Sequence, residues 1–246
     1  MARTSRRARR NSAFHLPGAF DLWAPSKELV LKNIWVFGPL YAVSLVFWIH
    51  SWIWSPLPNQ TVHWWQHSSP SGWVGGPVPT YLTFTAVGFS VFWFLIIAAI
   101  GTIAQIMSQA AQLAAAEGHR LDFEHLWAVV KEVGWRMLGL YLVMAVLIFV
   151  GLLLLVVPGL ILIRRFFLAP YVMLDKKRGI RESLDRSAEL SRLNTGSIWG
   201  IIGAMFLIGL LNVIPFIGGL VSFAVGSLYS VAPALRYQQL KHLGAQ

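Results

Sequence analysis

Arg164 and Arg165 are the residues of this chain best suited to chemistry, because they place two adjacent guanidiniums inside an apolar run from Leu160 to Leu174. A guanidinium carries a permanent charge and five N–H donors, so a pair of them matches a phosphate or a carboxylate. In hydrocarbon the pair costs about 5–7 kcal/mol, while ten strongly apolar neighbours return only about 3–6 kcal/mol. The segment is therefore expected to insert only with help from the helix before it. No acidic residue lies in an apolar stretch to neutralise the pair. The functional expectation is an external anion, either a lipid phosphate or an anionic substrate group. The structural alternative is snorkelling or hydrogen bonding to helix-end carbonyls. Counted from the turn residue Pro158, Arg164 lies about 9 Å along its helix, which predicts a position in the outer half of a bilayer.

Other constellations are weaker. His63 and His67 have the i, i+4 spacing of a helical metal pair, but Pro and Gly crowd their segment and no thiol or carboxylate joins them, so no metal site is expected. His50 reads as a packing histidine in the first span rather than a cofactor ligand, and no cofactor is expected. Asn59-Gln60-Thr61 has the form of a glycosylation sequon. Gln105, Gln109 and Gln112 share one helical face, as interhelical glue, a solvated face or a polar track. Gly196, Gly200 and Ala204 recur every four residues and predict a close helix–helix approach, internal or between copies. Nucleophile elbows, HExxH, Walker loops and paired intramembrane carboxylates are absent from the sequence, and so is cysteine. A non-enzymatic protein is expected.

The elements that must position these residues follow from charge. Residues 33–116 contain no Asp, Glu, Lys or Arg, although the 246-residue chain has a net charge of +10. Only 12% of residues are charged, about half the share usual in soluble domains. The composition predicts an all-α, polytopic membrane helical bundle with six transmembrane helices and cytoplasmic amphipathic interfacial helices. Residues 1–29 form a basic tail and surface segment, 30–236 the membrane domain and 237–246 a tail. The five arginines in the first ten residues suit anionic headgroups. A cleavable signal is not expected, because the apolar run begins only near Leu29.

The six predicted spans are 31–54, 81–116, 137–157, 160–174, 197–213 and 216–235. The second exceeds a bilayer, so its Gln/Ala-rich half should project into water or kink near Gly101. Residues 122–136 read as a separate interfacial helix, with Phe123, Leu126, Trp127, Val130 and Val133 on one face. Pro158-Gly159 should break the chain between spans three and four, and 176–194 should form a second amphipathic helix. The turns VVPGL and VIPFIGGL suggest a parallel internal repeat. Every lysine and arginine cluster except Arg164–Arg165 then falls on one side, with all ten acidic residues. The positive-inside rule puts both termini in the cytoplasm.

The stretch VPGLILIRRFFLAPYVMLDKKRGIRESLDRSAELSR carries a Pro-Gly turn, an Arg in the returning helix, a Pro, the acidic Asp175 and an Ala/Ser amphipathic segment ending S-x-x-L-S-R. It resembles the membrane domain associated with glycerophosphoryl diester phosphodiesterases and related six-helix bacterial and archaeal proteins, most clearly over residues 137–195. That resemblance implies six membrane helices. It implies no phosphodiesterase activity, which resides in a separate soluble barrel. The second arginine and the Trp-rich segment 55–80 fall outside the family pattern.

The sequence thus predicts a component of a bacterial inner membrane that interacts with lipid or anions or takes part in transport. Its expected partners are anionic membrane lipids and a membrane protein or a second copy; no nucleic acid is expected. The alternative is an accessory structural subunit of a larger membrane complex.

Overall fold

A computed structural model of the chain describes residues 16–54, 80–177, 179–214 and 217–243. The basic tail 1–15, the segment 55–79 with His63, His67, its tryptophans and the sequon, and Pro215 with Phe216 lie outside the described residues. So do the side chains of His50, Trp52 and Trp54.

All regular structure among the described residues is helical. A 3-10 turn, Phe20–Leu22, leads into α1 (Trp23–Lys32) and α2 (Ile34–Trp54). Then follow α3 (Thr80–Ala116), α4 (Phe123–Leu154), α5 (Val156–Phe166) and α6 (Ala169–Lys176). The chain continues through α7 (Ile180–Leu193), α8 (Thr195–Leu210), α9 (Ile217–Tyr229) and α10 (Ala232–Leu243). Five stretches among these are long and apolar enough to cross a membrane, or six if the bent pair Phe20–Lys32 and Ile34–Val46 makes one crossing. The protein is an all-α helical bundle of membrane-spanning character.

The chain divides into two compact units, Gly38–Ile106 and the union of Met1–Phe37 with Met107–Gln246. The first contains most of α2, with Pro39 inside the helix, and the first part of α3. Thr102 there donates back to the Ala98 carbonyl at 2.7 Å, which satisfies its hydroxyl within the helix.

The second unit holds two helical hairpins, α4/α5 and α8/α9. Their tips expose large apolar side chains: Phe149, Leu153 and Val157 on one, Phe206, Val213 and Ile217 on the other. Contiguous apolar exposure of this kind is unfavourable in water and suits lipid. Each hairpin is closed by glycine. A Cβ on Gly159 would lie 2.9 Å from the Leu152 amide nitrogen, and one on Gly151 would lie 3.1 Å from the Gly159 Cα. A Cβ on Gly218 would collide with the Leu211 carbonyl.

Each hairpin continues through a break into a helix that carries proline in its first turn, Pro170 in α6 and Pro233 in α10. A first-turn amide has no intrahelical acceptor, so proline costs little there. At the base of the α8/α9 hairpin Leu22, Ile201, Ala204, Tyr229 and Ala232 form a buried apolar cluster.

The N-terminal segment is built into this base. Ser26 donates to the Leu228 carbonyl at 2.7 Å, and Tyr229 donates to the Ala19 carbonyl at 2.8 Å. Trp23 stacks on Tyr229 with ring centroids 6.2 Å apart.

Several expectations change. The separate interfacial helix 122–136 does not exist: α4 is one helix of 32 residues, in which Leu126, Val130 and Val133 are buried while Phe123 and Trp127 stay exposed. The chain turns at Leu155, whose backbone is extended, and not at Pro158-Gly159, which sit in the first turn of α5. Span four stays one apolar stretch, Val156–Lys176, but is built of two helices, α5 and α6. α3 runs unbroken past Gly101, and its Gln-rich end is buried in the second unit. Residues 237–243 belong to a packed helix, not a tail. Arg236, one of the arginines counted on the basic side, is 0% exposed.

Candidate functional site

Arg164 and Arg165 occupy the last turn of α5, where cationic side chains complement the negative end of the helix dipole. Both are half-buried. Arg164 lies nine positions past the turn at Leu155, about 13 Å of helix and more than the distance counted from Pro158. The carbonyls of this last turn lack helical partners, and Pro170 brings no amide to the break that follows. Serines of α7 fill the need. Ser187 donates to the Arg165 carbonyl at 2.7 Å, and Ser191 donates to the Arg164 carbonyl at 3.0 Å. Ser183, Ser187 and Ser191 are fully buried, one helical turn apart, so α7 lies close against α5 and α6.

The Arg164 side chain donates from Nη1 to Thr195 Oγ1 at 3.0 Å, at the first residue of α8. Its Nε is buried and has no hydrogen-bond partner. Among the described residues neither Arg164 nor Arg165 forms an ion pair. The arginine pair therefore stands where the ends of three helices, α5, α7 and α8, converge. Exposed Leu160 and Ile161 lie one turn away on α5.

A second polar constellation, which sequence reasoning did not assemble, lies at the ends of α3, α6 and α10. Asp175, only 11% exposed, accepts from Lys241 Nζ at 2.7 Å and from the Tyr237 hydroxyl at 2.8 Å. Lys241 also stands 3.6 Å from Glu117, which accepts from Gln238 at 2.6 Å. Tyr237 stacks on Tyr171, and Tyr171 donates to Gln112 at 2.8 Å. Tyr141 donates to Gln109 at 2.6 Å. Gln109 and Gln112 are thus interhelical glue, whereas Gln105 on the same face is exposed. Lys177 ends α6 in the left-handed region with φ 49°, so its carbonyl accepts from Arg136 at 3.3 Å and its ammonium pairs with Glu132 at 2.5 Å. A cleft of about 480 Å³ opens beside Asp175, between the end of α3, the start of α4 and the end of α6.

Asp175 stands out in the sequence only as part of the resemblance. The local signal that could have found this site is the i, i+4 pair Tyr237 and Lys241, which puts a hydroxyl and an ammonium on one face of α10.

The small residues of α8 separate. A Cβ on Gly200 would lie 3.3 Å from the Ala19 Cβ, and Ala204 belongs to the buried base cluster, so both serve packing within this chain. Gly196 has open space beside it. Among the described residues no group of three His, Cys, Asp or Glu could hold a metal ion. Comparison with protein-family models, with curated proteins and with solved structures returns no match.

Proposed function

We propose that this chain is a non-catalytic integral membrane protein that holds the phosphate of an anionic lipid at Arg164 and Arg165. The observation that carries this reading is the buried, unpartnered Nε of Arg164, on a guanidinium with no carboxylate against it. A phosphate offers the charge-assisted hydrogen bonds that such donors lack. The apolar side chains of Leu160 and Ile161 provide a surface for the acyl chains. In this reading the chain lies in a bacterial inner membrane with both termini in the cytoplasm, as the positive-inside rule directs.

No catalytic step belongs to the proposal. Asp175 and Glu117, the carboxylates drawn into the helix-end network, already accept from ammonium, phenol or amide donors. The test is the double substitution R164Q/R165Q, with bound phospholipid measured by native mass spectrometry after extraction in a mild detergent. Anionic lipid should fall severalfold relative to zwitterionic lipid while the thermal transition is kept. Unchanged lipid content in a folded variant would refute the proposal.

A further inference from the structure

The cleft beside Asp175 divides its polar groups in a way that the reading of Arg164 and Arg165 does not use. Its carboxylates are engaged from within the protein. Both Asp175 oxygens accept from α10, one from Tyr237 and one from Lys241. Glu117 Oε1 accepts from Gln238, and Oε2 faces His119 Nδ1 at 3.4 Å. Arg120 and His125 also line the cleft and make no hydrogen bond or ion pair among the described residues. His119 keeps its second ring nitrogen for a further partner. The groups left to meet a ligand are thus a fixed cation and two imidazoles. Leu113, Val129 and Leu174 make the remaining lining largely apolar. A volume near 480 Å³ fits a small organic molecule or a lipid headgroup with the first part of its chains, not a whole lipid.

We infer that this cleft binds a phosphate monoester carried on an apolar group, with Arg120 gripping the phosphate as a bidentate fork and His125 and His119 adding hydrogen bonds. A cationic ligand is disfavoured because Lys241 already sits between the two carboxylates. The same chemistry belongs to a phosphatidate headgroup and to a free alkyl phosphate. The site is separate from Arg164 and Arg165 and does not depend on them.

The test uses the full chain in an uncharged detergent, titrated calorimetrically with hexyl phosphate, with dioctanoyl phosphatidate and with hexylamine. Binding of the phosphatidate alone assigns the ligand to lipid, and binding of hexyl phosphate, alone or as well, extends it to soluble phosphates. Either supports the inference when R120Q/H125Q, made in the R164Q/R165Q background that removes the other proposed phosphate site, weakens that binding at least tenfold. R120E in the same background, at an exposed position, should abolish it. The inference is overturned if the R164Q/R165Q protein binds neither phosphate, if it binds hexylamine instead, or if the folded cleft variants in that background bind phosphate as the R164Q/R165Q protein does.

Discussion

Lys241 Nζ donates to Asp175 Oδ1 at 2.7 Å and ties the last helix to the end of α6 across 66 positions of sequence. Asp175 is nearly buried and Lys241 is 31% exposed, so the two partners are not equivalent. Asp175→Ala strands both the Tyr237 hydroxyl and the ammonium. A loss of about 1.5–3 kcal/mol is expected, the range for hydrogen bonds to a charged group. Lys241→Met leaves the carboxylate on Tyr237 and removes a partly solvated charge, for which about 1 kcal/mol is expected. Thermal or denaturant unfolding in mild detergent ranks them. Equal losses would mean that the Tyr237 hydrogen bond contributes nothing.

Glycines of the same composition should behave in opposite ways. Gly159→Ala forces a Cβ to within 2.9 Å of the Leu152 amide nitrogen, where backbone must move. Overpacking of this kind costs about 1–3 kcal/mol. Gly196→Ala meets open space in the first turn of α8 and should stabilise by less than the helix-interior gain of about 1 kcal/mol. Melting temperatures of the two variants, measured side by side, check the contrast; a destabilised Gly196→Ala would place a neighbour against that face.

The two outcomes explain what the sequence could and could not show. Helices were legible because hydrocarbon forbids charge over long runs, and residues 33–116 obey that rule without exception. That the chain returns near VVPGL and near VIPFIGGL was legible as well, since proline and glycine within a few residues mark a tight return. The turning residue was not. Leu155 has no local signature, and Pro158 reads as a breaker although a proline in a first helical turn merely replaces an amide that has no acceptor. The Asp175 network was hidden for a different reason: α3, α6 and α10 bring its members together from positions 117, 175 and 237–241, and no short-range pattern encodes that.

Ser187 and Ser191 are expected to matter through the carbonyls they satisfy. Ser191→Ala removes the hydroxyl donor to the Arg164 carbonyl, and Ser187→Ala removes the shorter bond to the Arg165 carbonyl. A buried acceptor left without a donor costs about 1–3 kcal/mol. Ser191 also stands 3.3 Å from the Arg165 carbonyl and can compensate the loss of Ser187. The double variant should therefore lose more stability than the two single losses together. Strict additivity in denaturant titrations would show that the two serines act independently.

Arg236 tests whether a buried cation holds the N-terminal segment in place. Its guanidinium is fully buried, donates to the Pro17 carbonyl at 2.6 Å and to Gln239 at 3.0 Å, and leaves Nε without a partner. Among the described residues no carboxylate pairs with it. Burying a charge without a counter-ion is expensive, so Arg236→Met relieves desolvation while it severs the link to Pro17. These effects oppose each other in global stability, and the unfolding midpoint should move little. They do not oppose each other locally. A lost charge-assisted hydrogen bond is worth about 1.5–3 kcal/mol, so amides of residues 18–22 should exchange roughly 10- to 100-fold faster. Tyr229→Phe, which removes the bond to the Ala19 carbonyl without touching a charge, should speed the same amides by less. Hydrogen exchange followed by mass spectrometry separates local release from global unfolding. Unaltered protection at 18–22 in the Arg236→Met protein would mean that Tyr229 and Ser26 hold the segment by themselves.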